Sequence, residues 1–323
     1  MHAELHWLFG TYIGILGAAL GSFLNVVIAR LPAGTSLVRP GSHCPRCGHA
    51  IAWYDNIPIV SWILLATRCR HCQARISARY PIVELLMAVL AVALWLRFGL
   101  SWELLLWLPL VGALLAITFL DIDHWWIPDV IVWPGIAWAA LGALLPGGLT
   151  VLESALGVLP AGLLWVVAFV FERVTGREGL GFGDIKLLAL LGLAVGPAGA
   201  ITILFLAAVQ GSVIGIFVVA TGGHHSPETT QAPQQDATDA VAASADSAPR
   251  ATNAADEPRT SDTDMPRLAD AAASEEDETW TPHPRAIPFG PFLVLGTFEL
   301  VLMPQVFADL PARVAGWLIG VPA

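Results

Sequence analysis

Apolar runs of about 20 residues, long enough to cross the roughly 30 Å core of a bilayer as helices, recur along this chain of 323 residues. They cover residues 7–29, 81–98, 102–120, 130–146, 151–171, 185–197, 199–220 and 288–307. Lipid offers the backbone no hydrogen-bond partner, so spanning segments of this kind must be helical. Composition agrees with that reading: 56% of residues are hydrophobic and only 13% charged, whereas a soluble domain carries about a quarter. An all-α polytopic membrane protein with about eight transmembrane helices is therefore expected.

Basic residues in the loops set the orientation. Residues 30–79 hold Arg30, Arg39, Arg46, Arg68, Arg70, Arg75 and Arg79 against a single acid, Asp55. That loop is expected in the cytoplasm and the N-terminus in the periplasm, with membrane lipid as the chain's surroundings. Counting onward puts 121–129, 172–184 and 221–287 on the cytoplasmic side. The first apolar run lacks a basic n-region and extends to Ala29, so it reads as a retained span and not as a signal peptide.

The net charge of −10 belongs to one segment. Residues 222–286 hold 13 acids and 4 bases, and the rest of the chain is nearly neutral. The segment is rich in Ala, Asp, Thr, Pro and Ser, with Trp280 its one aromatic. It is expected to be a disordered cytoplasmic insertion. No nucleic-acid partner is expected. The expected organisation is a first span (1–29), a four-cysteine domain (30–80), a membrane core (81–221), the insertion (222–286) and a final span with its tail (287–323).

All four cysteines lie in the basic loop, as Cys44-Pro45-Arg46-Cys47 and Cys69-Arg70-His71-Cys72. Two C-x-x-C turns separated by 21 residues suit a closed tetrahedral thiolate site for structural Zn²⁺. Disulfides or redox dithiols are the alternative, which a reducing cytoplasm disfavours. A small cytoplasmic zinc-knuckle domain is expected, with His43, His49 and His71 beside it and not among its ligands.

Ionisable residues in or beside spans default to functional hypotheses. One cluster runs from Asp121 through Asp123 and His124 to Asp129; another is Gly181-Phe182-Gly183-Asp184-Ile185-Lys186; Glu84 and Glu299 stand alone. Asp129 follows Pro128 and reads as a helix cap. Glu84 reads as a partner for Arg79. Gly181 and Gly183 permit close backbone approach or positive φ. The topology puts Asp121 and Asp184 on one face at similar depth. Two carboxylates brought together do not both ionise, so one can activate water while the other, protonated, polarises a peptide carbonyl. An intramembrane aspartyl peptidase fits, and a transporter or zinc-knuckle scaffold is the alternative from another class.

The chain resembles the bacterial type IV prepilin peptidases, GxGD-type aspartyl proteases that are bifunctional leader peptidases and N-methyltransferases. The resemblance is carried by Gly21-Ser22-Phe23-Leu24-Asn25, by the cysteine turns with Trp53-Tyr54-Asp55-Asn56-Ile57-Pro58 between them, and by Arg79-Tyr80-Pro81-Ile82-Val83-Glu84. Asp121-Ile122-Asp123-His124 with Ile127-Pro128-Asp129, Gly181-Phe182-Gly183-Asp184-Ile185-Lys186 and Pro288-Phe289-Gly290-Pro291-Phe292 follow in the family's order. It implies a bacterial inner-membrane enzyme with Asp121 and Asp184 as the catalytic pair and Gly181, Gly183, Lys186 and Asp123 in support. It implies prepilin or type II secretion pseudopilin precursors as partners, cleaved at the cytoplasmic face. It also implies methylation of the new N-terminus from S-adenosylmethionine, in which the four-cysteine domain takes part. No glycine-rich cofactor loop accompanies that implication, so a peptidase without methyltransferase activity stays open. The 222–286 insertion has no counterpart in the family pattern.

Overall fold

In the computed structural model, residues 2–146, 148–177, 179–221 and 287–307 are described. The expectation of disorder over 222–286 lies outside them. The chain separates into one unit, Met1–Phe217 with Ile287–Ala323, and a second, Val218–Ala286. The described part of the second is the end of one helix. Among the described residues every long element is helical, as expected of a multi-pass membrane protein.

Helix α1 (His2–Arg30) packs along α3 (Arg79–Phe98). Gly17 and Gly21, one turn apart, bring the backbones together. A Cβ on Gly21 would lie 2.6 Å from the Glu84 Cα, and one on Gly17 2.6 Å from the Ala91 Cβ. Between these helices the basic loop holds a 3₁₀ turn at Trp53–Asn56, the short α2 (Val60–Leu64) and isolated bridges at His43–Ala50 and Arg68–Arg75.

α4 (Trp102–His124) is the central helix, with Leu114, Ile117 and Leu120 fully buried. α5 (Asp129–Gly142) follows, then α6 (Val151–Leu156) and α7 (Leu159–Thr175), which form one apolar stretch. Thr150 and Glu153 cap α6 reciprocally. α8 (Phe182–Ala220) has 39 residues, about 58 Å of helix and far more than one crossing needs. It breaks at Gly196 (φ 78°, ψ 178°). Pro197 removes an N–H and forces the preceding residue out of helical geometry. The break divides α8 at the boundary between the two expected spans.

α9 (Gly290–Leu302) and α10 (Pro304–Phe307) end the described chain. Helix is found at each of the eight expected positions. Five segments are long and apolar enough to cross a membrane, α8 counted once, and α5 and α9 are shorter apolar helices. Two boundaries differ from expectation. α5 stops at Gly142 and not at residue 146, and the final segment breaks at Met303, because Pro304 disfavours helical geometry in the residue before it.

Candidate active site and metal centre

Asp121 sits in the last turn of α4, and the helix ends just beyond it. Trp125 adopts the left-handed conformation (φ 53°) and returns its N–H to the Asp121 carbonyl at 2.9 Å. The Asp121 side chain is buried, at 6% exposure, and its Oδ2 makes no hydrogen bond. The first residue of α9, Gly290, lies directly against it: a Cβ there would sit 2.5 Å from Oδ2.

Asp184 is the third residue of α8. Its N–H bonds the Gly181 carbonyl at 3.1 Å, and its carboxylate stands within electrostatic range of Asp121. Of the two neighbouring glycines, Gly183 is the one that needs to lack a side chain, since a Cβ would meet Ile127 at 3.1 Å. Gly181 leaves open space beside Asp184, with a Cβ there 3.6 Å from Oδ2. Neither glycine uses a positive φ, so close approach is the relevant one of the two expected uses. Ile127, buried in the α4–α5 link, touches the positions of both Gly183 and Gly290. It is the packing centre around which the two acids are set.

Two ion pairs flank this site. Arg79, opening α3, pairs with Asp123, and Lys186 pairs with Asp129. Both correct the reading of single residues. Asp129 does not cap α5: Pro128 holds the cap position without a side-chain bond, and the Asp129 carboxylate is turned to Lys186. Glu84 does not pair with Arg79, which is taken by Asp123. Its Oε2 instead accepts the Ile59 N–H at 2.7 Å. Glu299, a lone acid in the sequence, accepts from Gln210 Nε2 at 2.7 Å. For Ile127, Gly290 and Asp129 sequence reasoning missed the role. A glycine opening the final helix was the available signal.

The four cysteines converge. Their sulfurs all lie within 4.8 Å of one another, and all four are free thiols. The Cys44–Cys72 separation is 3.8 Å. A tetrahedron with Zn–S bonds of about 2.3 Å has edges of about 3.8 Å, so the donor set fits zinc. Both turns share one construction. Cys44 N–H donates to the His49 carbonyl and Gly48 N–H to Cys44; Cys69 N–H donates to Ala74 and Gln73 N–H to Cys69. Gly48 (φ 67°) and Gln73 (φ 57°) take equivalent left-handed positions. N–H groups of Cys47 and Arg46 draw the Cys44 thiol down to about 6, while burial and the neighbouring Cys44 and Cys72 sulfurs push Cys47 up to about 11. The His49 and His71 rings face each other at 3.9 Å between centroids, joining the turns from outside the sulfur cluster. Arg70 forks onto Asp55 through two bonds of 2.8 and 2.6 Å, which ties the second turn to the 3₁₀ turn and holds the Asp55 carboxyl below its usual range.

Beside this centre lies a cavity of about 740 Å³, walled by α1, the start of α3 and the cysteine loop. Glu84 and Asn25 are buried in its wall.

Comparison with known proteins covers both halves of the chain. Residues 15–98 match the bacterial peptidase A24 N-terminal domain, and residues 108–216 match the type IV leader peptidase family. A prepilin leader peptidase/N-methyltransferase from Myxococcus xanthus (strain DK1622) is 39% identical over 332 residues, taking in 98% of this chain and 96% of its own length. Proteins of the same name from Aeromonas salmonicida (strain A449) and Pseudomonas putida are 37% and 38% identical, over 68% and 65% of this chain and 85% and 81% of theirs. No solved structure matches.

Proposed function

The chain belongs to the type IV leader peptidase family, and on that premise we propose that it removes the leader of type IV prepilins or type II secretion pseudopilins and N-methylates the new terminus, with Asp121 and Asp184 as the catalytic pair. The observation that supports the assignment is that carboxylates on two different helices, α4 and α8, stand near enough for the charge of one to bear on the other, the Asp121 side chain being buried with an oxygen left unbonded.

Such a pair holds one proton between its members. The ionised carboxylate takes a proton from water, whose oxygen adds to the scissile carbonyl carbon. The protonated one hydrogen-bonds the carbonyl oxygen and stabilises the charge that forms there. Collapse of the tetrahedral intermediate breaks the C–N bond as the nitrogen receives a proton, releasing leader acid and mature amine. Asp123 and Lys186 act at one remove, through their pairs with Arg79 and Asp129, by fixing the ends of α4 and α8. Gly183 lets α8 close on Ile127, and Gly181 leaves room beside Asp184 for an extended substrate backbone.

Zinc held by Cys44, Cys47, Cys69 and Cys72 gives a loop with little core its fold. S-adenosylmethionine, when bound, would supply an electrophilic methyl group for the new amine. The membrane is the bacterial inner membrane. The arginine-rich 30–79 loop supports a cytoplasmic site and a periplasmic N-terminus.

Co-expression with a candidate prepilin, read by intact mass, tests cleavage and methylation together. Asp121→Ala and Asp184→Ala are expected to leave the precursor uncut while the protein accumulates in membranes. Normal processing by both variants would overturn the assignment.

A further inference from the structure

We propose that α2 lies in the membrane interface, with Val60, Ile63 and Leu64 among the acyl chains of the leaflet where α1 ends and α3 begins, and the arginines beside it on anionic lipid phosphates. α2 has two unlike sides. Ser61, Trp62 and Leu65 turn inward and line the cavity beside the cysteines. Val60, Ile63 and Leu64 follow the i, i+3, i+4 spacing of one helical face. They are absent from that lining and are 47%, 63% and 77% exposed. Exposed apolar side chains scattered singly need no explanation, but three on one face of a five-residue helix form a patch.

The bonds of α2 set its depth. α3 has 20 residues, about 30 Å of helix, which matches the hydrocarbon core of a bilayer. Arg79, its first residue, therefore marks a boundary of that core. The Ile59 N–H, immediately before α2, donates to Glu84 Oε2 at 2.7 Å, and Glu84 lies about 7.5 Å along α3 from Arg79. The Trp62 indole N–H donates to the Ile76 carbonyl at 3.3 Å, on the other side of Arg79 in the chain. α2 is thus tied to this strand of chain on both sides of the boundary. Interfacial helices bury their apolar faces at that level, about 5–10 Å into the headgroup and acyl region. The apolar surface is also continuous with one that lipid must cover: Leu85, beside Glu84, is 53% exposed on a spanning helix.

The backbone holds α2 out as a lobe. Ile59 (φ 62°) leads into it, and Ala66 (φ 46°) and Thr67 (φ 65°) lead out, all in the left-handed region that β-branched residues rarely adopt. Just beyond, Arg68 and Arg75 stand across an isolated bridge. Both are exposed, and neither is in any of the ion pairs among the described residues. The one acid of residues 30–79, Asp55, is taken by Arg70. Guanidiniums at the level of the headgroups are attracted to anionic lipid and match phosphate geometry.

The test uses the zinc-loaded full chain in nanodiscs of phosphatidylethanolamine and phosphatidylglycerol. Leu64 or Leu85 is replaced, one at a time, by a diazirine-bearing amino acid, and lipid adducts formed on irradiation are counted by intact mass. Zinc content reports that each chain is folded. A lipid-adduct yield at residue 64 within about threefold of that at residue 85 is expected, and a smaller yield would overturn the proposal. Adducts to a prepilin held in the same discs, in place of lipid, would overturn it too and give the face to the pilin's apolar helix. In discs of phosphatidylcholine alone the yield at residue 64 should fall at least about twofold; an unchanged yield would overturn the part given to the arginines. The Ile63→Glu/Leu64→Glu variant adds two charges at positions already exposed, so the fold is kept. Its proteolysis within residues 30–79 in discs should rise at least about fivefold with zinc content unchanged, and proteolysis at the wild-type rate would refute the insertion.

Discussion

Gly290 touches Asp121: a Cβ at residue 290 would stand 2.5 Å from the Asp121 Oδ2 and 3.3 Å from the Ile127 Cδ1. The first turn of α9 thus closes over an acid on α4, although 168 residues separate them in sequence. The contact leaves no room for a methyl group unless the carboxylate moves.

Gly290→Ala should therefore impair cleavage without unfolding the chain. Displacing a reacting group by about 1 Å can cost on the order of 10²-fold in rate, and a loss of 10- to 100-fold is expected. Prepilin processing by the purified variant measures it, with zinc content as the folding control. A rate within twofold of wild type would mean that α9 yields and that Asp121 keeps its place.

The Asp129–Lys186 pair should respond asymmetrically to its two deletions. The Lys186 side chain is 15% exposed and that of Asp129 is 59% exposed. Asp129→Asn strands a largely buried ammonium, for which about 1–2 kcal/mol is expected, less than the roughly 3–5 kcal/mol of a fully buried pair. Lys186→Met returns a mostly hydrated carboxylate to water, and about 0.5 kcal/mol or less is expected. Thermal unfolding of the two variants in detergent separates them, and equal destabilisation would refute this account.

Much of this was legible in the sequence because its signals were local. Spanning length fixed helices in lipid, and the separation of the 185–197 and 199–220 runs anticipated the break in α8. The C-x-x-C spacing placed four sulfurs together because each turn needs only its own residues. Contacts between distant segments were not legible. Asp129 after Pro128 looks like a cap to any local rule, and only the approach of α8 offers it Lys186. Glu84 and Arg79 are five residues apart and face different neighbours, the Ile59 turn and Asp123. Neither neighbour leaves a trace in the spacing. For Gly290 the sequence supplied a resemblance, and the packing supplied the reason.

Zinc should be needed by the loop and far less by the peptidase pair. One ion per chain is expected, falling to none in a Cys69→Ser/Cys72→Ser variant. That variant should become sensitive to limited proteolysis within residues 30–79, since the knuckles hold a segment with few buried side chains. Leader cleavage is expected to drop less than about threefold, because Asp121 and Asp184 are set by α4, α8 and α9. Metal analysis with proteolysis and mass mapping decides the first point. Complete loss of cleavage in a folded variant would show that the loop shapes the aspartyl site.

The tightest crossing in the membrane core gives the last prediction. A Cβ on Gly157 would stand 1.9 Å from the Gly192 carbonyl oxygen, and one on Gly192 the same distance from the Gly157 carbonyl oxygen. The obstacle is backbone on both sides, so no rotamer change relieves it, and helices must part by more than an ångström. Overpacking of this kind costs about 1–3 kcal/mol where side chains can adjust, and more is expected here. Gly157→Ala and Gly192→Ala should each lower accumulation in membranes several-fold. The double variant should be little worse than either alone, because the first substitution already opens the crossing that the second would otherwise obstruct. Quantitative immunoblotting of membranes reads all three, and additive losses would show that the two glycines serve separate contacts.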